Sequence, residues 1–165
     1  MKIGIMSDTH DHLPAMQKIV EIFNQESVEQ VIHCGDLVAP FVFRVLEKLK
    51  VKVTAIYGNN DGERLGLKGA FAKIGSIIDP PREITFGDKR IIMSHFFTDS
   101  LYEALATSRK YDIILFGHTH QLLNKKIGNV IVLNPGEGCG YLTGKCTCAI
   151  LDTDKMVAEI REVKP

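Results

Sequence analysis

The sequence lacks the charge imbalance and the long apolar runs that identify several broad classes of protein. Its 165 residues carry 20 basic and 20 acidic side chains, and no block is rich in Lys or Arg. A bulk nucleic-acid partner is therefore not expected, because such binding needs an excess of positive charge. No apolar segment approaches the ~20 residues needed to span a bilayer, so the sequence predicts no membrane partner.

Cysteine is also scarce, and its spacing excludes the common uses of clustered thiols. No CxxC pair occurs, and no secretory signal precedes the cysteines. They lie at Cys34, Cys139, Cys146 and Cys148. Because disulfide frameworks belong mainly to secreted chains, we expect reduced thiols and a cytoplasmic protein. The alternation of Cys146 and Cys148 on one strand indicates packing residues.

Repeats at a fixed period, low-complexity segments and linkers are absent as well. With 45% hydrophobic residues the chain has ordinary material for one core. A chain of this length can bury roughly 70% of its unfolded surface. We therefore expect a single domain over residues 1–165.

The first half of the chain alternates short apolar runs with helical patterns. Because helices would connect successive strands, parallel pairing with right-handed crossovers is expected. The predicted strands are 2–6, 30–34 and 51–57, and the predicted helices begin at Leu13-Pro14 and span 40–49. The second helix would place Phe41, Val45 and Leu49 on one buried face.

The second half is rich in strands, and turn signals such as Gly128-Asn129 predict that part of it is antiparallel. Ser100 and Glu103 have the spacing of a capping box, which would open a helix ending near 108 with Leu101 and Leu105 facing inward. The predicted strands are 77–79, 82–86, 89–94, 112–116, 122–127, 130–133, 147–151 and 156–160. The coarse prediction is two sheets packed face to face with helices outside.

Residue types that bind metal ions follow five of the predicted strands. They are Asp8 with His10, then Asp36, Asn59 and His95, and finally His118 with His120. Taken singly, these motifs are typical of turns, a helix N-terminus or a core histidine. Five strand ends that all finish in nitrogen or oxygen ligands, in a chain with only six histidines, are hard to attribute to turn statistics. Ligands of open α/β folds bind at such strand ends, so one shared site is expected.

The donor set has the chemical character of a site for divalent ions such as Mn, Fe, Ni or Zn. It contains too many ligands for one tetrahedral ion, whereas a structural zinc site would prefer a closed set of four ligands rich in thiolate. About seven protein ligands match two metal ions that share a carboxylate. A pair of ions roughly 3.5 to 4 Å apart would generate hydroxide near neutral pH.

The ordered motifs Asp8-x-His10, Gly35-Asp36, Gly58-Asn59-Asn60-Asp61, His95 and Gly117-His118-Thr119-His120 resemble those of the calcineurin-like metallophosphoesterases. The short chain, with Asn134-Pro135-Gly136 after the last motif, is similar to the small bacterial and archaeal phosphodiesterase group and to the retromer's metallophosphoesterase-like subunit. The resemblance covers about residues 1–136. It implies an α/β fold, namely a four-layer α/β/β/α sandwich of two mixed sheets with flanking helices.

The resemblance also implies the ligands of each metal. Asp8, His10, Asp36 and His120 would hold one ion, and Asp36, Asn59, His95 and His118 would hold the other, with Asp36 bridging. The expected cofactors are two divalent ions per chain, with Mn or Ni favoured and Fe, Zn or Mg as alternatives. The predicted catalytic residues are Asp36, Asn59 and Asn60.

Asn60 departs from the family pattern, because most members have a His there that is thought to protonate the leaving oxygen. Asn cannot act as a general acid, so we expect good turnover only for esters with good, aryl leaving groups. The predicted function is hydrolysis of a small phosphodiester by hydroxide that bridges the two metals. A phosphomonoesterase and a non-catalytic metal-binding scaffold are the alternatives, and the sequence leaves a homo-oligomer open.

Several other residues invite functional interpretations. His33 alternates away from Asp36 along its strand, which favours a buried core histidine, and His12 is expected to cap a helix or support the ligands. Phe96 and Phe97 could wall a pocket or belong to the core. The glycines between 136 and 144 do not form a P-loop, and a flexible loop beside the site is expected.

Overall fold

Two mixed β-sheets organise the chain in a computed structural model that describes residues 1–165. The first half comprises β1 (Lys2–Met6), α1 (Leu13–Gln25), β2 (Gln30–His33), a 3-10 turn (Pro40–Val42), α2 (Phe43–Leu46), β3 (Val53–Ile56), α3 (Arg64–Ile74) and β4 (Gly75–Ile78). The second half comprises β5 (Arg82–Phe86), β6 (Lys89–Met93), α4 (Asp99–Thr107), β7 (Ile113–Leu115), β8 (Leu122–Ile127), β9 (Val130–Pro135), β10 (Cys146–Asp152) and β11 (Val157–Val163).

The strand order explains why both sheets are mixed. In the first sheet the order is β11-β10-β1-β2-β3-β4, with parallel pairing from β1 to β4 and antiparallel pairing of β10 and β11. In the second sheet the order is β5-β6-β7-β9-β8, with β6, β7 and β9 parallel. The antiparallel pairs β5–β6, β8–β9 and β10–β11 confirm the prediction that part of the second half is antiparallel.

Alternating side chains along the strands divide the apolar residues into three layers of core. Ile3 and Ile5 of β1 join Ile113 and Leu115 of β7 in a cluster between the two sheets. On the other face of the first sheet the core is completed by helix residues, including Phe23 of α1. The outer face of the second sheet packs against α4. The four-layer α/β/β/α arrangement is therefore confirmed.

The predicted helix over 40–49 is only partly correct. A 3-10 turn at Pro40–Val42 precedes a single turn of α-helix, α2, so the helical periodicity does not run through the segment. Val45 is buried as predicted, but Phe41 is 63% exposed and its inward placement was wrong. A 3-10 turn advances each residue by about 120° rather than 100°, which rotates Phe41 away from the face that carries Val45.

The predicted capping box of α4 is wrong. The helix begins at Asp99 and its N-cap is Thr98, and Ser100 Oγ lies 3.2 Å from Thr98 Oγ1 instead of capping the backbone. Tertiary packing places the buried stripe on Tyr102 and Ala106, since the Tyr102 ring stacks on Phe116 with centroids 5.6 Å apart. Leu105 still packs against this core, but Leu101 is half exposed, contrary to prediction.

Helix α3 was not predicted from the sequence. Gly66 and Gly69 lower the helix propensity of this segment, which obscures the stripe formed by the buried Leu67 and Phe71. The tertiary contact explains one of these glycines, because a Cβ at Gly66 would lie against the ring of Pro40. None of the helices is long and apolar enough to cross a membrane.

Replacing Gly4 by Ala should destabilise the fold, because a Cβ there would lie 2.9 Å from the Phe23 ring. Overpacking of this kind typically costs about 1–3 kcal/mol. Gly69→Ala is a matched control, since nothing lies within 4 Å of a Cβ at that helical position. It should stabilise by up to about 1 kcal/mol in denaturant unfolding. Adding Phe23→Leu to Gly4→Ala should cost less than the sum of the single changes; strict additivity would contradict the packing explanation.

Candidate metal centre

The carboxyl ends of three parallel strands from each sheet converge where the two sheets meet. In the first sheet β1, β2 and β3 run the same way, and in the second sheet β6, β7 and β9 do. All the ligand residues expected from the sequence follow five of these strands, and the structure brings them together. The sixth strand, β9, adds a residue that the sequence analysis did not identify.

One group of side chains gathers around Asp8 and Asp36. His10 Nε2 lies 3.5 Å from Asp36 Oδ2 and 4.0 Å from Asp8 Oδ1. His120 Nε2 lies 3.6 Å from Asp8 Oδ1, and the rings of His10 and His120 are stacked with centroids 5.2 Å apart. These four residues are the ones expected to hold the first ion.

A second group gathers on the more exposed side of Asp36. Asn59 Oδ1 lies 2.9 Å from His95 Nε2 and 2.8 Å from His118 Nδ1. His95 Nε2 also lies 3.4 Å from Asp36 Oδ2. His95 is buried and donates from Nδ1 to the Cys34 carbonyl, which fixes the ring with Nε2 facing the other ligands. These are the residues expected to hold the second ion.

Asp36 lies between the two groups, and Asn60 holds its carboxylate in place. The Asn60 backbone N–H donates to Oδ1 and its side-chain amide donates to Oδ2, both at 2.7 Å. Burial would raise the pKa of Asp36, but hydrogen bonds from His95 and Asn60 outweigh it and hold that pKa well below the usual range. Burial raises the pKa of Asp8 instead. Asp36 is therefore the more firmly ionised of the two carboxyl groups.

A buried atom without a partner supports the fit of this donor set to metal. His10 Nε2 is buried and accepts or donates no hydrogen bond, although it faces two carboxylates. Such an orphaned group is costly unless another species satisfies it. Imidazole, carboxylate and amide oxygen donors suit borderline or hard divalent ions. Cys139 Sγ also lies close enough to His10 and His120 to share an ion with them.

Most of the expected ligands have a strained backbone conformation. Five of the expected ligands have positive φ values, a region that non-glycine residues seldom adopt. They are Asp8 (50°), His10 (40°), Asp36 (60°), His118 (65°) and His120 (59°). Strain of this kind persists only where the surrounding structure imposes it, and it concentrates at functional sites.

Asp61 imposes part of this geometry; it belongs to the Gly58–Asp61 motif, but no role was predicted for its side chain. Its buried carboxylate accepts backbone N–H bonds from Asp36, Leu37 and Val38, at 3.0, 2.8 and 2.7 Å, and from Gly58 at 2.6 Å. These contacts join the loop after β2 to the loop after β3. The conformations that aim Asp36 and Asn59 therefore depend on one side chain.

Glu137 and Asn134 support the His118–His120 loop, and sequence analysis missed both roles. The Asn134 amide donates to the Gly117 carbonyl at 2.9 Å and lies 3.0 Å from Thr119 Oγ1. The buried Glu137 carboxylate receives a 2.6 Å hydrogen bond from His120 Nδ1. Burial opposes ionisation of Glu137, but bonds from His120 and Thr143 lower its pKa to about 2. The sequence signal for Glu137 was its position, because it follows β9, the sixth of the converging strands, which ends directly before Gly136-Glu137.

The remaining sequence interpretations have mixed outcomes. His33 is fully buried and accepts from the Gly35 N–H, and burial lowers its pKa to about 3, which confirms a neutral core histidine. His12 occupies the N-cap of α1 without a side-chain capping bond, and instead donates to the Cys139 carbonyl. Phe97 is buried, whereas Phe96 is half exposed beside His118. Cys146 and Cys148 are buried packing residues, as predicted.

Comparison with known proteins assigns the chain to a family. Residues 1–156 match the profile of the calcineurin-like phosphoesterase superfamily domain. The chain belongs to this superfamily. Among calcineurin-like phosphoesterases of known sequence, phosphodiesterase MJ0936 of Methanocaldococcus jannaschii is 48% identical over 165 residues, covering 99% of this chain and 98% of the relative. Phosphodiesterase YfcE of Escherichia coli K12 is 27% identical over 152 residues, covering 83% and 79%.

Solved structures of other proteins share the fold. An archaeal phosphodiesterase superposes with a TM-score of 0.92 at 46% identity, covering 99% of this chain and 100% of that one. Zinc-complexed Vps29 of Entamoeba histolytica superposes with a TM-score of 0.71 at 18% identity, covering 99% and 98%. The expected resemblance to both the small phosphodiesterases and the retromer subunit is confirmed at the level of fold.

Replacing Asp61 by Ala should destabilise the protein by about 2–4 kcal/mol, because four backbone N–H groups, three of them buried, would lose their acceptor. Asp79→Ala is the matched control, since this carboxylate is largely exposed and pairs only with Arg64. It should change stability little. Urea unfolding of both variants tests the role, and equal midpoints for the two would contradict it.

Proposed function

We propose that the chain is a metal-dependent phosphodiesterase that acts on small diesters, with two divalent ions bound between the two groups of ligands. The observation that carries the proposal is the position of Asp36, whose Oδ2 faces His10 on one side and His95 on the other at 3.5 and 3.4 Å. The name of the 48% identical relative, a phosphodiesterase, supports the choice of reaction.

The bound ions would supply a hydroxide nucleophile at neutral pH and positive charge for the phosphoryl oxygens. The protein's own contribution is to hold the donors rigidly. Asp61 fixes the loop that carries Asp36, and the Cys34 carbonyl fixes the His95 ring. Preorganised donors lose little energy to reorganisation when charge develops on the substrate. Mn and Ni remain the favoured ions, with Fe, Zn and Mg as alternatives.

The surroundings of the second ligand group leave room for an organic substituent. A cleft beside it is lined by Tyr57, Asn59, Arg64, Pro80, Phe96 and His118. Phe96 forms an exposed aromatic wall, and the Arg64 guanidinium lies 4.7 Å above the Tyr57 ring. A flat ester group fits walls of this kind, which supports aryl esters as good substrates.

Asn60 supports the same preference from the chemical side. Its amide donates to Asp36 and has no proton to give to a leaving group, so alkoxide departure would lack acid assistance. A phosphodiesterase with this residue should favour leaving groups that depart as stable anions. A phosphomonoesterase and a non-catalytic scaffold remain the alternatives, and the activity assays below separate them. The cytoplasmic location and the oligomeric state stay predictions.

Metal-stripped protein should hydrolyse bis-p-nitrophenyl phosphate only when Mn, Ni, Mg or Zn is restored, and faster than p-nitrophenyl phosphate. Asp36→Asn should abolish this hydrolysis, because it removes the shared carboxylate charge. Asp88→Asn, in an exposed turn, is the control and should retain full activity. Release of p-nitrophenolate is the measurement.

A folded protein without activity under any of these metals would favour the scaffold. Faster turnover of the monoester than of the diester would favour the phosphomonoesterase. Circular dichroism of each variant shows whether lost activity reflects lost structure.

Asn60→His should raise hydrolysis of alkyl diesters relative to aryl diesters, because the imidazole can protonate an alkoxide. The expected change in the alkyl-to-aryl ratio of kcat/KM is about 10-fold or more. Glycerophosphoethanolamine and bis-p-nitrophenyl phosphate are suitable substrates. The ratio is the relevant quantity, since the substitution also removes the amide contact with Asp36 and slows both reactions.

Asn60→Ala provides the control for that lost contact. It should lower both activities by the same factor and leave the ratio unchanged. An unchanged alkyl-to-aryl ratio in Asn60→His would contradict the general-acid explanation.

A further inference from the structure

Glu137 is the buried carboxylate that links the site to the loop 138–145. It is 1% exposed and follows β9, the one strand of the converging six that supplies no expected ligand. Nothing in the resemblance assigns it a role. Its two oxygens nevertheless contact a ligand residue on one side and a surface loop on the other.

The contacts on the ligand side fix the tautomer of His120. Glu137 Oε2 accepts from His120 Nδ1 at 2.6 Å, so the ring proton lies on Nδ1 in the neutral imidazole. Nε2 then carries the lone pair, and this atom faces Asp8 Oδ1 at 3.6 Å. A metal ligand needs that lone pair free.

The contacts on the loop side are made largely by Oε1, although Oε2 also accepts from the Leu142 N–H at 3.2 Å and from the Cys139 thiol at 3.3 Å. Oε1 accepts from the Thr143 hydroxyl at 2.6 Å, from the Thr143 N–H, and from the Leu142 N–H at 3.1 Å. Tyr141 and Leu142 are 62% and 74% exposed, and the Tyr141 ring lies on His12. The tip of the loop therefore has little apolar burial to hold it, and the carboxylate is its main attachment.

We propose that Glu137 is a positioning residue that keeps His120 Nε2 available to metal and, through its other oxygen, holds the loop 138–145 beside the site. The metal part of this inference rests on the proposed function, whereas the tautomer and the loop attachment do not. Carboxylates that orient metal-binding histidines typically contribute 10- to 100-fold to metal affinity. Glu137 touches no substrate in this role.

A glutamine at this position cannot reproduce both sets of contacts. The carboxylate accepts hydrogen bonds at both oxygens, whereas an amide accepts at one and donates at the other. In Glu137→Gln either His120 Nδ1–H or the loop N–H groups would therefore face another donor. The variant conserves size and burial, so its effects report on hydrogen bonding.

The tautomer is tested first, in metal-stripped wild-type protein, by long-range ¹H–¹⁵N correlation of the histidine rings. We expect His120 to be protonated on Nδ1, and Glu137→Gln to lose that preference. Protonation on Nε2 in the wild type would overturn the proposal without any variant. This measurement is independent of activity, so it stands or fails separately from the phosphodiesterase proposal.

Metal affinity is tested next, by Mn²⁺ competition with a chromophoric chelator. In Glu137→Gln one of the two dissociation constants should rise about 10- to 100-fold while the other is unchanged. Glu159→Gln, an exposed residue of β11, should leave both unchanged. If Glu137→Gln changed neither Mn²⁺ dissociation constant and left the His120 tautomer as it is, Glu137 would have only a structural role.

Amide hydrogen exchange distinguishes the contacts of Glu137 with the loop 138–145 from its contact with His120. Thr143→Val removes the hydroxyl that binds Glu137 but leaves His120 untouched. It should speed exchange at Leu142 and Thr143 and preserve the His120 tautomer. If Thr143→Val altered the tautomer as Glu137→Gln does, or if Glu137→Gln left loop exchange slow, the proposed division between the two oxygens would be wrong.

Discussion

The carboxylate of Asp36 is the interaction on which the rest of the site depends. It lies at the end of β2, near the middle of the first sheet, and faces one imidazole from β1's loop and another from β6's loop. Several like-charged or lone-pair-bearing groups must be held around it, and each would repel the others without compensation. The surrounding hydrogen bonds show how the chain achieves this, because three of the seven expected ligands have a second residue that fixes their orientation.

Those second residues come from the backbone and from buried acids. His95 is fixed by the Cys34 carbonyl, Asp36 by Asn60 and Asp61, and His120 by Glu137. The arrangement resembles the outer layer of many metal sites, in which the partner of a ligand sets its tautomer and direction. It also explains the strained φ values, since a loop that aims two ligands in succession cannot keep an extended backbone. Rigid strand ends make that strain sustainable.

Features that depend on local interactions were predicted well from the sequence, and features that depend on contacts between distant residues were not. Strand periodicity and hairpin turns are local, and they predicted most strands to within one or two residues. The buried helix faces were predicted less well, because a 3-10 turn at Pro40 rotates Phe41 outward and because the Tyr102 ring, stacked on Phe116, occupies the buried face of α4. Helix α3 was not predicted, because Gly66 lowers the helix propensity of its segment. That glycine is explained by a close contact with Pro40, which lies more than twenty residues away in the sequence.

The sequence by itself determined two sheets packed face to face, the family and the residues that gather at the site. These follow from the order of short apolar runs and from which residue types stand at their ends. Tertiary structure alone decided how the donors face one another, and it introduced Asp61, Asn134 and Glu137 as the residues that hold them. Their roles are hydrogen bonds between distant loops, and no local periodicity encodes such pairings. Convergence of parallel strand ends at one edge brings them within reach.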